Sequence, residues 1–433
     1  MIAGSRAHAS RDVPQTRRLW PGLASHWGVA PRSAEPDPEH YDDFHTSADS
    51  IFLGKGPILN TSGGMRVHLP ESGVDQHRMM SFLDAWAEWI ISERYRAQES
   101  SREASLVRAY YRIRPLLPRS IQILLRRIHA RRASRPCLRW PVDGTWVALA
   151  EAYMALRLHE QSTNSLRIPS RWPQGSRAGC IVTHDVETAA GQRAVPHLAA
   201  LDLELGFRSC FNFVTERYPV DLGLIRELRA MGHEVGVHGV KHDGLKFSSR
   251  EIFLSRLGSL REYAEEWKVS GFRSPATHRR WEWMPELPFV YDSSYPDTDP
   301  YEPVPGGCGC PYPFQIGGVM ELPITLAQDH TLWEILQCNA LPVWQEKIQW
   351  LFAVGGLMTV LVHPDYITSE IRWREYRALL QAIAELPGVW RALPFEVAHW
   401  WKNRSSETET ILLESTRDEW RLEYGERACL TQV

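Results

Sequence analysis

After Pro173 the chain turns into short, continuous apolar runs that alternate with helical patterns, and no other feature constrains its fold as tightly. The runs are AGCIVTH (178–184), SCFNFV (209–214), HEVGVH (233–238), VSGFRS (269–274), PFVYDSS (288–294), MELPIT (320–325) and GLMTVLVH (356–363). Helical patterns fall near 192–206, 221–231, 248–267, 342–353 and 370–386. A strand that is apolar on both faces must be covered on both, which is the signature of a parallel sheet packed between helices. Six or seven such units in one stretch predict an α/β fold, a distorted (β/α) barrel of about seven strands. In such barrels the chemistry gathers at the C-terminal ends of the strands.

The rest of the chain reads differently. Residues 1–75 are rich in Pro, Ser, Arg, Gly and Asp without a sustained period, and are expected to be poorly ordered or variable. Between 76 and 172 a helical N-terminal region is expected. Met80, Leu83, Trp86, Ile90 and Ile91 recur at helical spacing from His77 to Arg96, and a further helix is expected near 143–158. A helix from Ser120 to Arg132 carries Arg126, Arg127, Arg131 and Arg132. It reads as a solvated helix face, with a membrane surface or an acidic glycan as the sharper alternative. The barrel is assigned to 173–404, and 405–433 to a C-terminal tail.

Composition excludes little but usefully. A net charge of −3 gives no reason to invoke nucleic acid. Seven scattered cysteines fit a reducing compartment better than a disulfide framework. Cys308 and Cys310 lack a second pair at zinc-site spacing and are read as a tight surface loop. The first twenty residues hold no apolar core of signal-peptide length, and no run is long enough to span a bilayer, so a cytoplasmic location is expected.

Reactive side chains stand where the strands end. The first run closes on Thr183-His184-Asp185-Val186-Glu187, placing Asp185 and Glu187 two apart and on one face. Others end in His238-Gly239-Val240-Lys241-His242, in Arg273-Ser274-Pro275, in Tyr291-Asp292-Ser293-Ser294 and in His363-Pro364-Asp365-Tyr366. Any one of these has an ordinary structural explanation: a satisfied core histidine, or a salt-bridged arginine. Their common placement on one rim does not. Asp329 and His330 follow the strand at 320–325 and reach the same rim, where substrate contact and local loop bonding are both open. Phe211, Trp281 and Trp283 offer flat surfaces for a sugar ring, with core packing the ordinary reading of Phe211.

Together THDVE (183–187), HGVKH (238–242), FRSP (272–275), YDSS (291–294) and VLVHPDY (360–366) resemble the polysaccharide deacetylases, carbohydrate esterase family 4, which share the NodB-homology domain. The resemblance covers roughly residues 175–400, and CFNFV (210–214) looks like the second strand of that domain. It implies that His238 and His242 bind a divalent metal with one carboxylate, a ligand set suited to zinc, cobalt or nickel. It implies Asp185 as catalytic base, Arg273 as the group that holds Asp185 ionised, and His363 as general acid. Asp292 is expected to orient His363. Thr277, Tyr295 and Asp329 are candidate substrate contacts. Two departures stand out. Val186 fills the place where the family often has a second aspartate, so Glu187 becomes the third ligand, a D-x-E pattern similar to a cytoplasmic branch of the superfamily. Thr277 stands where a glycine commonly closes the third motif.

The expected function is therefore metal-dependent removal of an N-acetyl group from an amino sugar or glycan precursor. Two alternatives remain open at this level: hydrolysis of another non-peptide C–N bond, as in the allantoinase-like branch, and a catalytically silent glycan-binding protein. Peripheral contact with a membrane or a lipid-linked precursor is a further expectation.

Overall fold

The computed structural model describes residues 22–27, 45–46, 49–53, 55–71, 75–98, 118–132, 138–243, 246–404 and 407–429. Three longer helices precede the strand-rich part: α1 (Gln76–Ile91), α2 (Arg119–Arg132) and α3 (Thr145–Glu160). Asp75 caps α1 by accepting from the backbone N–H groups of His77 and Arg78, which leaves fewer of the first-turn donors unsatisfied. Helix α3 is buried on nearly every side, from Trp146 to Leu158. It is a core element rather than a surface helix.

The strands of the expected barrel are β1 (Ala178–Val186), β2 (Ser209–Phe213), β3 (Glu234–Val237), β4 (Gly271–Phe272), β5 (Tyr291–Asp292), β6 (Phe314–Ile316), β7 (Val319–Glu321), β8 (Leu357–Leu361) and β9 (Val389–Arg391). Their order is β6-β7-β5-β4-β3-β2-β1-β8, with β9 pairing the first half of β1. All pairings are parallel except the β6–β7 hairpin. That makes nine strands among the described residues where about seven were expected. The additions are β6 and β9, each three residues long and too short for a periodic signal. Every residue of β1 is buried, as its unbroken apolar run requires. Helices α4 (Ala189–Glu204), α5 (Leu222–Ala230), α6 (Arg250–Glu266), α7 (Ala340–Val354), α8 (Glu370–Ala384) and α9 (Pro394–Asn403) alternate with the strands. Thr188, Asp221, Ser249, Asn339 and Ser369 cap five of them.

The two ends of this sheet meet, and how they meet follows from one proline. Pro323 has no N–H to give to a ladder. Threonine hydroxyls replace it: Thr325 Oγ1 donates to the Leu357 carbonyl at 2.7 Å, and Thr359 Oγ1 donates to the Pro323 carbonyl at 2.6 Å. The Thr359 N–H donates to Thr325 Oγ1 at 2.9 Å, and one backbone bond, Leu326 N–H to Thr359 O at 3.3 Å, completes the closure.

A second sheet goes beyond what the sequence predicts. Its order is His45–Thr46, Ser50–Phe52, Arg66–His68, Ile58–Asn60, Glu419–Cys429, Glu407–Ser415 and Ser165–Pro169. It gathers segments from the region expected to be poorly ordered, from the end of the helical region, and from the expected tail. Leu23, Trp27, Ile51, Leu59 and Val67, from the region expected to be poorly ordered or variable, are buried in the core. In Glu407–Ser415 the buried positions are Glu409, Ile411 and Leu413, a period of two. The carboxylate at the first of them hides the pattern. Arg171 satisfies it, with Nε 3.0 Å from Glu409 Oε1.

The Cys308–Cys310 loop is buried rather than on the surface. Both thiols bond nearby backbone carbonyls, those of Cys310 and Tyr312. No helix among the described residues is long and apolar enough to cross a membrane.

Candidate active site

The end of β1 sets the site's centre. Its alternation turns Thr183 and Asp185 into the barrel, and Glu187 follows in the loop before α4. Asp185 is 2% exposed. Its Oδ1 accepts from Asn212 Nδ2 at 2.9 Å, and its Oδ2 lies 3.6 Å from His238 Nδ1 and 3.7 Å from Arg273 Nη1. Burial pushes this carboxyl up, but His238, Arg273, His363 and the Asn212 bond together bring it below its ordinary value. Arg273 Nη2 also donates to Thr183 Oγ1 and Ser293 Oγ, which holds the guanidinium beside Asp185. Asn212 reaches Asp185 only because residue 236 is glycine: a Cβ there would overlap Asn212 Oδ1.

Glu187, His238 and His242 lie together, and one ligand atom from each falls within 4.8 Å of the others. His242 Nε2 is 2.9 Å from Glu187 Oε1. His238 directs its Nδ1 at the Arg273 carbonyl (3.2 Å), and its buried Nε2 has no hydrogen-bond partner. An imidazole whose Nδ1 is held by a carbonyl and whose Nε2 keeps an orphaned lone pair is how a ligating histidine is prepared. The donor set therefore fits a divalent metal such as zinc. Burial pushes Glu187 up, yet His242, then His363 and His238, bring its carboxyl well below the ordinary range. Burial likewise takes His238 down to about 4, leaving it neutral, as a ligand must be.

His242 has φ +49°, a left-handed conformation that costs a non-glycine residue energy. The preceding Gly239 is also left-handed, and a Cβ on it would meet Pro275. The motif's backbone is thus bent to bring two histidines four apart to one point. Asp365 holds the other side: it accepts from the Glu187 N–H at 3.0 Å and from the Thr188 hydroxyl. Asp365 is visible within HPDY, yet nothing in the sequence alone assigns it this role.

His363 is placed by Asp329. Asp329 Oδ1 is 2.6 Å from His363 Nδ1, and Oδ2 accepts the His363 backbone N–H at 2.8 Å. Burial would lower this imidazole, but Asp329, followed by Glu187 and Asp185, raises it to about 10. Its Nε2 lies 3.9 Å from Glu187 Oε1, on the side of the Glu187–His238–His242 group.

Asp292 and Tyr295 lie away from this cluster. Asp292 does not touch His363. Its neighbour Tyr291 faces inward and donates to Glu234, so alternation turns Asp292 outward, where it accepts from Ser294 Oγ and burial pushes it up beside Glu321. Tyr295 is packed against Trp281 and Phe314 and is 1% exposed, closed off from solvent. Asp329, a candidate substrate contact, bonds His363. Thr277 is buried beside the left-handed Ala276, its hydroxyl without a partner. Phe211 is fully buried against His184, and Trp283 packs on Phe247 and Phe253. His184 itself bonds Asp202 and the Val362 carbonyl, which makes it structural.

No family model and no curated protein matches the sequence. Among solved structures the chain is similar to a Mycobacterium smegmatis protein described as a polysaccharide deacetylase, at 20% identity and a TM-score of 0.43, covering 54% of this chain and 93% of that one. It is similar to Puue allantoinase at 16% identity and 0.43, with the same coverages of 54% and 93%. It is also similar to the chitin deacetylase of Colletotrichum lindemuthianum at 17% and 0.33, covering 52% and 88%. Likeness at this level leaves the reaction to be read from the site itself.

Proposed function

We propose that this chain is a metal-dependent hydrolase of the polysaccharide deacetylase type, removing an N-acetyl group from an amino sugar or glycan precursor. The observation that carries the reading is the arrangement of Glu187, His238 and His242 as one ligand group, with Asp185 on one side and His363 on the other.

A divalent ion held by these three side chains would polarise the acetamide carbonyl and lower the pKa of a bound water. Asp185, ionised and fixed by Asn212 and Arg273, is placed to take a proton from the attacking water. Arg273 holds Asp185 in orientation and charge without touching substrate. His363, cationic beside Asp329, is placed to give its proton to the departing amine. Glu187 is kept in register by Asp365 and by the Tyr366 hydroxyl, 3.3 Å from its Oε2.

Acetate release from N-acetylated sugars, with the metal measured alongside, tests this. Asp185→Asn should abolish turnover and leave the metal bound; His238→Ala should lose both. Metal-loaded wild type that releases acetate from no N-acetyl sugar but hydrolyses ureides would move the reading to another C–N amide. Full activity in Asp185→Asn would remove Asp185 as the base.

A further inference from the structure

We infer that helix α2 docks the protein on an anionic lipid bilayer through an apolar stripe that the fold leaves facing outward. A helix on the surface of a globular protein buries its apolar face and shows its charges to water. In α2 this is reversed. Ile121, Leu124, Leu125 and Ile128 recur at i, i+3, i+4 and i+7, forming one stripe, and they are 41%, 53%, 38% and 38% exposed. The residues that seat the helix are arginines. Arg126 Nη2 is 3.2 Å from Glu302 Oε1 and its Nη1 is 3.4 Å from His330 Nδ1, while Arg127 Nε donates to the Glu334 carbonyl at 2.8 Å. Arg126 and Arg127, expected on a solvated face, are thus engaged with the barrel, and the apolar side is presented.

Charge names the occupant. Between Ala104 and Val142 the sequence carries ten arginines and no Asp, Glu or Lys, in a chain whose net charge is −3. An outward apolar stripe inside a purely cationic stretch is complementary to a negatively charged, partly apolar surface, which an anionic bilayer provides. A second copy of the chain would set this arginine-rich, acid-free helix against itself.

The helix is also a neighbour of the active site. The turn His330–Leu336, which takes both arginines, is capped by Asp329, and Asp329 holds His363. Docking through α2 therefore brings the bilayer beside the site, and an amino sugar carried on a lipid becomes the matching substrate class. That substrate class rests on the deacetylase reading; the docking does not.

Flotation with vesicles tests the docking directly. The full-length protein should float with phosphatidylcholine vesicles containing about one-third phosphatidylglycerol, float at least about tenfold less with phosphatidylcholine alone, and detach as salt rises. Leu124→Glu with Ile128→Glu should cut binding to the anionic vesicles about tenfold or more, with circular dichroism and metal content unchanged. If that pair does not fold, Leu124→Gln alone should weaken flotation severalfold. No flotation with anionic vesicles overturns the proposal. So does equal binding by the folded variant, or a concentration-dependent dimer that the same substitutions abolish.

Discussion

A carboxylate 2.6 Å from an imidazole fixes both the tautomer and the charge of the ring, and this is what Asp329 does for His363. Replacing Asp329 by Asn keeps the shape but removes the charge that outweighs burial at His363. We expect kcat to fall about 100-fold, with KM and metal content little changed, as removal of an orienting partner does. Unchanged kcat would show that His363 needs no orientation. Asp292 and Asp329 also mark how far the sequence can be read. Asp292 ends a strand and Asp329 follows one, and both stand near the rim in the linear order. Only the direction in which Tyr291 faces sends Asp292 outward, and a two-residue strand has no periodicity from which to infer that. Asp185, Glu187, His238 and His242 were legible because they stand at the ends of continuous apolar runs, within motifs that resemble those of a known family.

At the scale of elements, buried charges decide what holds. The Arg171–Glu409 pair ties the C-terminal hairpin to the segment leading into β1, with side chains 5% and 0% exposed. Glu409→Ala leaves Arg171 buried beside an empty place, and we expect a loss of about 3–5 kcal/mol in urea unfolding. A loss under about 1 kcal/mol would mean that water reaches Arg171 instead. Glu234, at the start of β3, accepts from the Tyr291 hydroxyl and from the Phe395 N–H, and burial pushes its carboxyl up to about 7. The folded protein then keeps a proton that the unfolded chain has already lost. Stability should accordingly fall as pH rises from about 4.5 to about 7, and Glu234→Gln should flatten that slope. Thermal midpoints at about pH 5 and about pH 8 measure it, and equal slopes in the two proteins would exclude Glu234 as the cause. The barrel's longer elements were legible for the same reason that they are stable: β1 and α4 to α8 repeat one simple pattern many times. The short strands at 45–68 were not, because three residues carry no period and Pro, Ser and Gly surround them.

For the whole molecule, the second sheet matters more than its short strands suggest. Glu419–Cys429 pairs Ile58–Asn60, and Glu407–Ser415 pairs Ser165–Pro169, so this hairpin joins two parts of the chain that lie before the barrel. Without residues 405–433 both partners become open sheet edges, which seek other chains. The shortened protein should appear in gel filtration as aggregate rather than as a folded monodisperse species. A truncated chain that elutes as one sharp, folded peak would mean that the barrel and α3 suffice. The barrel has its own seam, where the segment Pro323–Leu326 meets Leu357–Thr359. Asp329 lies just past one lip of that seam and His363 just past the other. Hydroxyls laced across a gap part more readily than a continuous ladder, so when the barrel breathes there, the proton donor and the carboxylate that steers it are drawn apart together.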